Sequence, residues 1–160
     1  MGSSSRYVCA WAASLQVAFA IEDVQEVLAP RAITRLFHAP AALLGVIGLR
    51  GEILPVIDLG ALLSGAAPRA SDGRSDGTGE RFVVLRTALE GSKSTSFAVR
   101  VARLEPLRDA GDHGLEPLPA GVPELAARVA RGMVTAPSPA VLVLDPAKVV
   151  ALEELVALRS

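Results

Sequence analysis

The side chains able to do acid–base or metal chemistry are few in this sequence and lie far apart. The two histidines, His38 and His113, stand in Pro/Gly-flanked loop sequence, and neither has a cysteine or carboxylate at a spacing that supports a metal site. Either imidazole could serve as a general base, but no candidate nucleophile is near it in sequence. A small-molecule-binding barrel or an enzyme that uses His38 or His113 is therefore a remote alternative.

The remaining reactive residue types have structural explanations. The nucleotide-binding patterns, the nucleophile elbow and the H-E-x-x-H zinc motif are all missing from the sequence. Asp58 and Asp145 each stand where an apolar run gives way to a short helical run, so helix capping explains them better than a catalytic pair. Cys9 lies in an apolar run, which favours a small buried residue over a reactive thiol. We therefore expect no catalytic residues, no metal and no cofactor, and a protein that works by presenting a surface.

Arg50 is the candidate binding residue. Two apolar runs, Gly45–Leu49 and Ile53–Ile57, flank Arg50-Gly51, and branched aliphatics on both sides of a two-residue turn that ends in glycine predict a β-hairpin. Consecutive apolar positions predict that little of either strand faces water. A cation at such a turn is either a solvated turn residue or a contact aimed at a partner, and the spacing leaves both open.

Bulk composition narrows the class of protein. The chain has 160 residues, enough for one domain, and is 51% apolar but only 4% aromatic, which predicts an aliphatic core. Its net charge of -1 argues against a nucleic-acid partner. The stretch 7–21 carries no charge, but Ser14 and Gln16 interrupt it and it is too short to span a bilayer. We expect neither a secretion signal nor membrane insertion.

Turn signals divide the chain into about nine strands with little helix, which is typical of a β-rich fold. The stretch Glu22–Leu28 has helix-like spacing, or is a short turn that runs into a strand. Residues 65–80 are rich in Gly, Ser, Ala and Asp and predict a flexible loop. Besides the central hairpin, paired strands are predicted at 7–11 with 16–20, 81–89 with 96–104, and 133–136 with 141–144. Short helices are predicted at 39–44, 59–63, 124–131 and 146–158.

One internal echo suggests two similar units. The run Ile53–Leu59 resembles Ala140–Pro146 in plan: an apolar strand, an aspartate and then a short helical run. In the second copy Pro146 occupies the first helical position, where its missing N–H is tolerated. Two small sheets packed together would fit this pattern, although a single echo does not establish duplication.

The hairpin belongs to a longer pattern that resembles a known family. The order and spacing of its pieces over residues 15–63, with a weaker match over 81–89 and 132–150, are similar to the CheW family, the coupling proteins of bacterial chemosensory arrays. The pieces are Ile21-Glu22-Asp23-Val24-Gln25-Glu26-Val27-Leu28, Ile33-Thr34-Arg35-Leu36, Ala39-Pro40, Gly45-Val46-Ile47, Leu49-Arg50-Gly51 and Leu54-Pro55-Val56-Ile57-Asp58-Leu59.

The resemblance implies a mainly β fold. Two small five-stranded β-barrels would share a hydrophobic core, with short helices and a C-terminal helix. Residues 1–6 would form a flexible arm and residues 7–160 a single domain of two barrel subdomains, with a flexible loop at 64–80. The implied function is that of a non-enzymatic cytoplasmic adaptor in chemoreceptor arrays, which binds the signalling tip of a methyl-accepting chemoreceptor and couples it to a CheA-type histidine kinase.

The resemblance also implies which residues contact the receptor. In the family the receptor tip, an antiparallel helical hairpin, lies in a groove between the barrels. Apolar anchors would supply contact area, and charges would pair with the helix or with each other. The residues that match the groove positions are Ile21, Val24, Glu26, Gly45, Arg50 and Gly51.

Several departures from the family pattern concern the kinase. Gly48 replaces the usual Asn before Leu-Arg-Gly, Arg100 stands where a strand acid is common, and the stretches 92–118 and 137–140 diverge. Since changes in the hairpins could spoil kinase docking, receptor binding is better supported than kinase docking. A CheW-fold regulatory module that binds receptors, or another partner, without coupling to kinase is the alternative.

Overall fold

Eleven strands, paired into two mixed sheets, form the framework of the described chain. The computed structural model describes residues 6–65, 79–88, 94–112, 114–136 and 139–152. The strands are β1 (Arg6–Ala12), β2 (Leu15–Ala20), β3 (Val24–Leu28), β4 (Leu43–Leu49), β5 (Glu52–Asp58), β6 (Arg81–Ala88), β7 (Ser94–Val101), β8 (Arg103–Leu104), β9 (Arg108–Asp109), β10 (Ala130–Val134) and β11 (Val141–Leu144). The predicted mainly β fold is confirmed.

The helices are short. Along the part of the chain that is described they are a 3₁₀ turn at Ile21–Asp23, α1 (Leu59–Ser64), α2 (Glu124–Val129) and α3 (Pro146–Val150). Both predicted aspartate caps are present: Asp58 Oδ1 accepts from Ala61 N at 2.8 Å, and Asp145 Oδ1 accepts from Ala147 N at 3.0 Å. These side chains satisfy N–H groups that the first helical turn leaves free.

Apart from the additional short strand β9 in sheet 1, the two sheets have the same topology. Sheet 1 has the order β10-β11-β2-β1-β8, with β9 also pairing with β1, and sheet 2 has the order β4-β5-β7-β6-β3. In each sheet two antiparallel hairpins are joined by one parallel pair, β11 with β2 or β5 with β7. The strands that precede the capped helices, β11 and β5, hold equivalent places. The similar runs Ile53–Leu59 and Ala140–Pro146 therefore occupy equivalent positions in the two sheets.

The chain crosses between the sheets at equivalent points. After β2 it passes through the 3₁₀ turn Ile21–Asp23 and enters sheet 2 as β3. After β7 it passes Ala102 and enters sheet 1 as β8. The predicted strand 96–104 is therefore two strands in different sheets. Because each crossing connects the units over very few residues, the sheets are held side by side.

Three apolar clusters fill the fold. Alternate residues of β6 show why: Val83 and Leu85 face a large cluster shared by both sheets, while Phe82 and Val84 face a cluster formed within sheet 2. A third cluster, which includes Cys9, lies within sheet 1. Burial of both faces explains why these strands are apolar at consecutive positions. The predicted shared hydrophobic core is present.

Each sheet curls towards a barrel, but neither ladder of described strands closes into a ring. In sheet 2 the chain that follows edge strand β3 returns to the other edge, where Thr34 bridges Val46 of β4. Gly45 permits this approach, because a Cβ at that position would lie 2.1 Å from Thr34 O. In sheet 1 an isolated bridge joins Glu116 to Met133, next to the equivalent Gly132.

Some boundaries differ from those predicted. Residues 39–44 are not a helix: Leu43 N donates to Pro40 O in a turn, and Leu43 then pairs with Ile57 in β4, so strand pairing wins over the proline signal. Of the two readings of Glu22–Leu28, the turn that runs into a strand is correct. Strand β1 begins at Arg6, within the predicted arm. Residues 1–5, most of the predicted loop at 64–80 and the end of the predicted C-terminal helix lie outside the described residues.

Candidate functional site

An ion pair marks the tip of the central hairpin. Leu49 and Glu52 pair at the end of the β4–β5 ladder, so Arg50-Gly51 forms a two-residue turn. The φ angles of Arg50 and Gly51 are +52° and +83°, and the type I′ turn requires positive φ at both positions. Arg50 Nη2 lies 2.6 Å from Glu26 Oε2 on β3, and the two side chains are 69% and 19% exposed. Because β3 and β4 are opposite edges of sheet 2, the pair joins the two edges of the curled sheet.

Glu26 lies on β3, the edge strand that pairs with β6. It lies across from Val84 of β6, whose side chain belongs to the apolar cluster within sheet 2, so the carboxylate sits over that cluster. Glu26 Oε1 is buried and accepts no hydrogen bond from the described residues. An unpaired buried acceptor is unfavourable, and the ion pair made by Oε2 offsets this cost. Arg50, in contrast, keeps most of its surface free.

A β-bulge shapes the other face of β3. Val24 pairs with Leu85 and Val27 pairs with Val83, with a register shift between Val24 and Glu26. Since Leu85 and Val83 face the shared core, Val24 and Val27 lie on the same face as each other, at its rim. Val24 is partly buried against the shared core, and Val27 is 39% exposed. Together they form an apolar strip beside the junction of the two sheets.

The other residues predicted to contact a partner differ in accessibility. Ile21 is partly exposed at the start of the crossing that carries the chain into β3, three residues before Val24. Gly51 is exposed in the hairpin turn. Gly45 is buried beneath the Thr34 segment, where its role is to permit close packing. The structure brings Glu26 and Arg50 together and places Ile21 on the crossing and Val24 directly after it, at the start of β3. Partner contact by all six residues stays a prediction.

Ile53 is a surface feature that sequence reasoning missed. Its side chain is 74% exposed, although the apolar run suggested burial of both faces of β5. It lines an open hollow of about 460 Å³ at this end of sheet 2, together with Gln25, Glu52 and Arg86. Ile53 and the buried Leu54 are alike in residue type. The sequence differs between them only in that Ile53 is one residue closer to the turn. The hairpin therefore presents an exposed apolar side chain three residues after Arg50.

The residue types singled out above as able to do chemistry are His38, His113 and Cys9. His38 is exposed in a loop, and His113 lies outside the described residues. No group of three or more potential metal ligands occurs in the described ranges. Cys9 is buried and burial raises the pKa of its thiol, which opposes thiolate formation.

Two single residues that depart from the family pattern, Arg100 on β7 and Gly48 on β4, lie within the described chain. Arg100 is only 4% exposed, so it is not part of an exposed docking face. Its Nε lies 2.9 Å from Asp58 Oδ2, and Glu80 Oε2 lies 3.9 Å from the same nitrogen. Gly48 is exposed with open space around its Cα, and its carbonyl accepts from Arg31 Nη1 at 3.4 Å.

Comparisons with known proteins give the family. The profile of the CheW-like domain matches residues 6–154. The chain belongs to the CheW-like domain family. The crystal structure of the scaffolding protein TtCheW from Thermoanaerobacter tengcongensis has the same fold, with a TM-score of 0.75 and 20% sequence identity, over 94% of this chain and 95% of that one. A comparison with curated proteins gives no match.

Family membership agrees with the fold predicted from the sequence. The two sheets of equal topology, the shared core and the crossings between them form the CheW-like domain of this chain. None of the described helices is long and apolar enough to cross a membrane.

Proposed function

We propose that this CheW-like domain is a non-enzymatic chemosensory adaptor that binds the signalling tip of a methyl-accepting chemoreceptor and couples it to a CheA-type histidine kinase. The Glu26–Arg50 pair carries the proposal, since it presents a mostly exposed cation at the tip of the central hairpin. The adaptor would act in the cytoplasm at chemoreceptor arrays. The name of TtCheW, a scaffolding protein, supports an adaptor role of this kind.

The surface has the features of helix-in-groove recognition. An amphipathic helix binds through apolar anchors spaced along one face, and charged groups at the rim set its register. Val24 packs at the rim of the shared core, Val27 is exposed on the same face of β3, and Ile53 is exposed near the tip of the central hairpin. We infer that Ile21, Val24 and Ile53 supply apolar contact area, while Arg50 pairs with polar groups on the receptor helix.

Kinase docking is the second part of the proposal. Arg100 stands where the family commonly has an acidic residue. Because Arg100 is buried, this difference leaves the exposed faces of the domain unchanged. Five residues of the divergent stretches lie outside the described residues, namely residues 92, 93, 113, 137 and 138. A module that binds receptors, or another partner, without coupling to kinase is the alternative function. Titration with the regulatory domain of a CheA-type kinase separates the two, because only a coupling protein binds both partners.

The receptor half is tested by titrating the protein with a helical-hairpin peptide of the receptor signalling tip. Arg50→Ala should weaken binding about tenfold, because it removes the exposed cation and leaves Glu26 unpaired. Arg103→Ala is a matched control: Arg103 is 59% exposed and pairs with Glu105 at 3.3 Å, but it lies on sheet 1. Isothermal titration calorimetry would measure both. Equal losses for the two variants, or none for Arg50→Ala, would contradict the receptor assignment.

A further inference from the structure

One guanidinium links the crossing before β3 to the cap of α3. Arg131 stands at the register shift of a bulge in β10, between the paired residues Ala130 and Gly132. Its Nη2 lies 3.4 Å from Asp23 Oδ2 and 3.4 Å from Asp145 Oδ1. The three side chains are between 23% and 38% exposed. A single cation therefore bridges two partly buried carboxylates that belong to different elements.

The two carboxylates are not equally free to move. Asp145 is fixed by capping α3, which packs against β6. Asp23 ends the 3₁₀ turn, and its Oδ2 accepts a hydrogen bond from Arg131 Nη2 of sheet 1 at 3.4 Å. Burial raises the pKa of Asp23, the negative charge of Asp145 adds to this, and the guanidinium of Arg131 opposes both. Without the cation, repulsion and burial would both favour outward movement of Asp23.

We propose that Arg131 is a positioning residue for receptor binding: it holds the crossing Ile21–Asp23 against sheet 1, so that Ile21 and Val24 are presented in a fixed geometry. The inference rests on the proposed function, because Ile21 and Val24 are the apolar anchors assigned above. The crossing is short, so a shift of Asp23 displaces both anchors with it. Arg131 itself need not touch the receptor.

The test uses receptor-tip affinity in a small set of full-length variants. Arg131→Gln removes the cation while keeping much of the side chain, and should weaken binding about fivefold, the low end of coupling between sites. Adding Asp23→Asn should restore the affinity to within about twofold of wild type, because a neutral amide does not need the cation. Arg131→Lys should also retain binding. Arg103→Gln on sheet 1 controls for loss of positive charge.

The outcomes separate this inference from the proposed function. Weakening in Arg131→Gln that the added Asp23→Asn reverses supports it, provided that the melting temperature of Arg131→Gln stays close to wild type. Wild-type affinity in Arg131→Gln, alongside weak binding in Arg50→Ala, overturns the positioning role and leaves the receptor assignment intact. Weak binding that Asp23→Asn does not reverse also overturns it, since uncompensated charge on Asp23 is then not the cause. No receptor binding by the wild-type protein overturns both.

Discussion

Replacing Arg100 by leucine is expected to lower the free energy of unfolding by about 3–5 kcal/mol, because it removes a buried cation from the partly buried carboxylate of Asp58. Arg100 is 4% exposed, and both its Nε and its Nη2 contact Asp58 Oδ2. Asp58 uses its other oxygen to cap α1, and that helix packs against β1 of the other sheet as well as β7. The loss would therefore be felt at the junction of the two units and not only in β7.

Thermal unfolding followed by circular dichroism measures this effect. For a domain of this size the expected loss corresponds to a drop of about 10 °C in Tm. The control is Arg86→Leu, the same change at an exposed position on β6, which should alter stability by no more than about 0.5 kcal/mol. A Tm for Arg100→Leu within one or two degrees of wild type would show that the Arg100–Asp58 contact contributes little to the fold.

Replacing Val24 by glutamate is expected to reduce receptor-tip affinity by roughly 30-fold or more, the loss typical of a central interface anchor. Val24 lies at the rim of the shared core on the same face as Val27, so the new carboxylate would break the apolar strip. It would also add a negative charge to a strand that already carries Glu26. Both changes disfavour the burial of this surface against a helix.

The same calorimetric titration measures this second effect, and circular dichroism checks the fold, because Val24 also packs on the core. Leu107→Glu is the matched control, since Leu107 is 61% exposed and lies between β8 and β9 of sheet 1. It should bind the receptor tip like wild type. If Val24→Glu binds like wild type while folded, Val24 is a core residue and the anchor assignment is wrong.

Much of the fold follows from local patterns. The hairpin around Arg50-Gly51 is predictable because apolar runs flank a two-residue turn that ends in glycine, and positive φ at Gly51 costs little. The caps at Asp58 and Asp145 are predictable because an aspartate follows each apolar strand. These features depend only on neighbouring residues, so tertiary context did not alter them.

Other features depend on contacts between distant segments. Val24 and Val27 have a spacing typical of a helix, yet a bulge opposite β6 puts them on one face of a strand. The Pro40 signal predicted a helix, but pairing with β5 makes the following residues a strand. The exposure of Ile53 depends on where the curled sheet ends. None of these outcomes is encoded in the residues immediately around the position.

The candidate site shows the same division. The sequence left two possibilities for Glu26 and Arg50: each pairs with a partner, or they pair with each other. They lie close together because sheet 2 curls and brings its two edges near each other. The buried role of Gly45 could not be predicted, because it depends on the return of Thr34 to the opposite edge strand. The link from Arg131 to Asp23 joins residues far apart in sequence and has no local signal.

The most direct test of the receptor surface is to titrate ¹⁵N-labelled protein with the receptor signalling-tip hairpin and follow the amide resonances by NMR. We predict that shifts concentrate at residues 21–27 and 50–53, while the indole N–H of Trp11, bonded to Glu105 at 2.6 Å on sheet 1, stays unchanged. Shifts confined to the Trp11 side of the molecule, or no shifts at saturating peptide, would contradict the account.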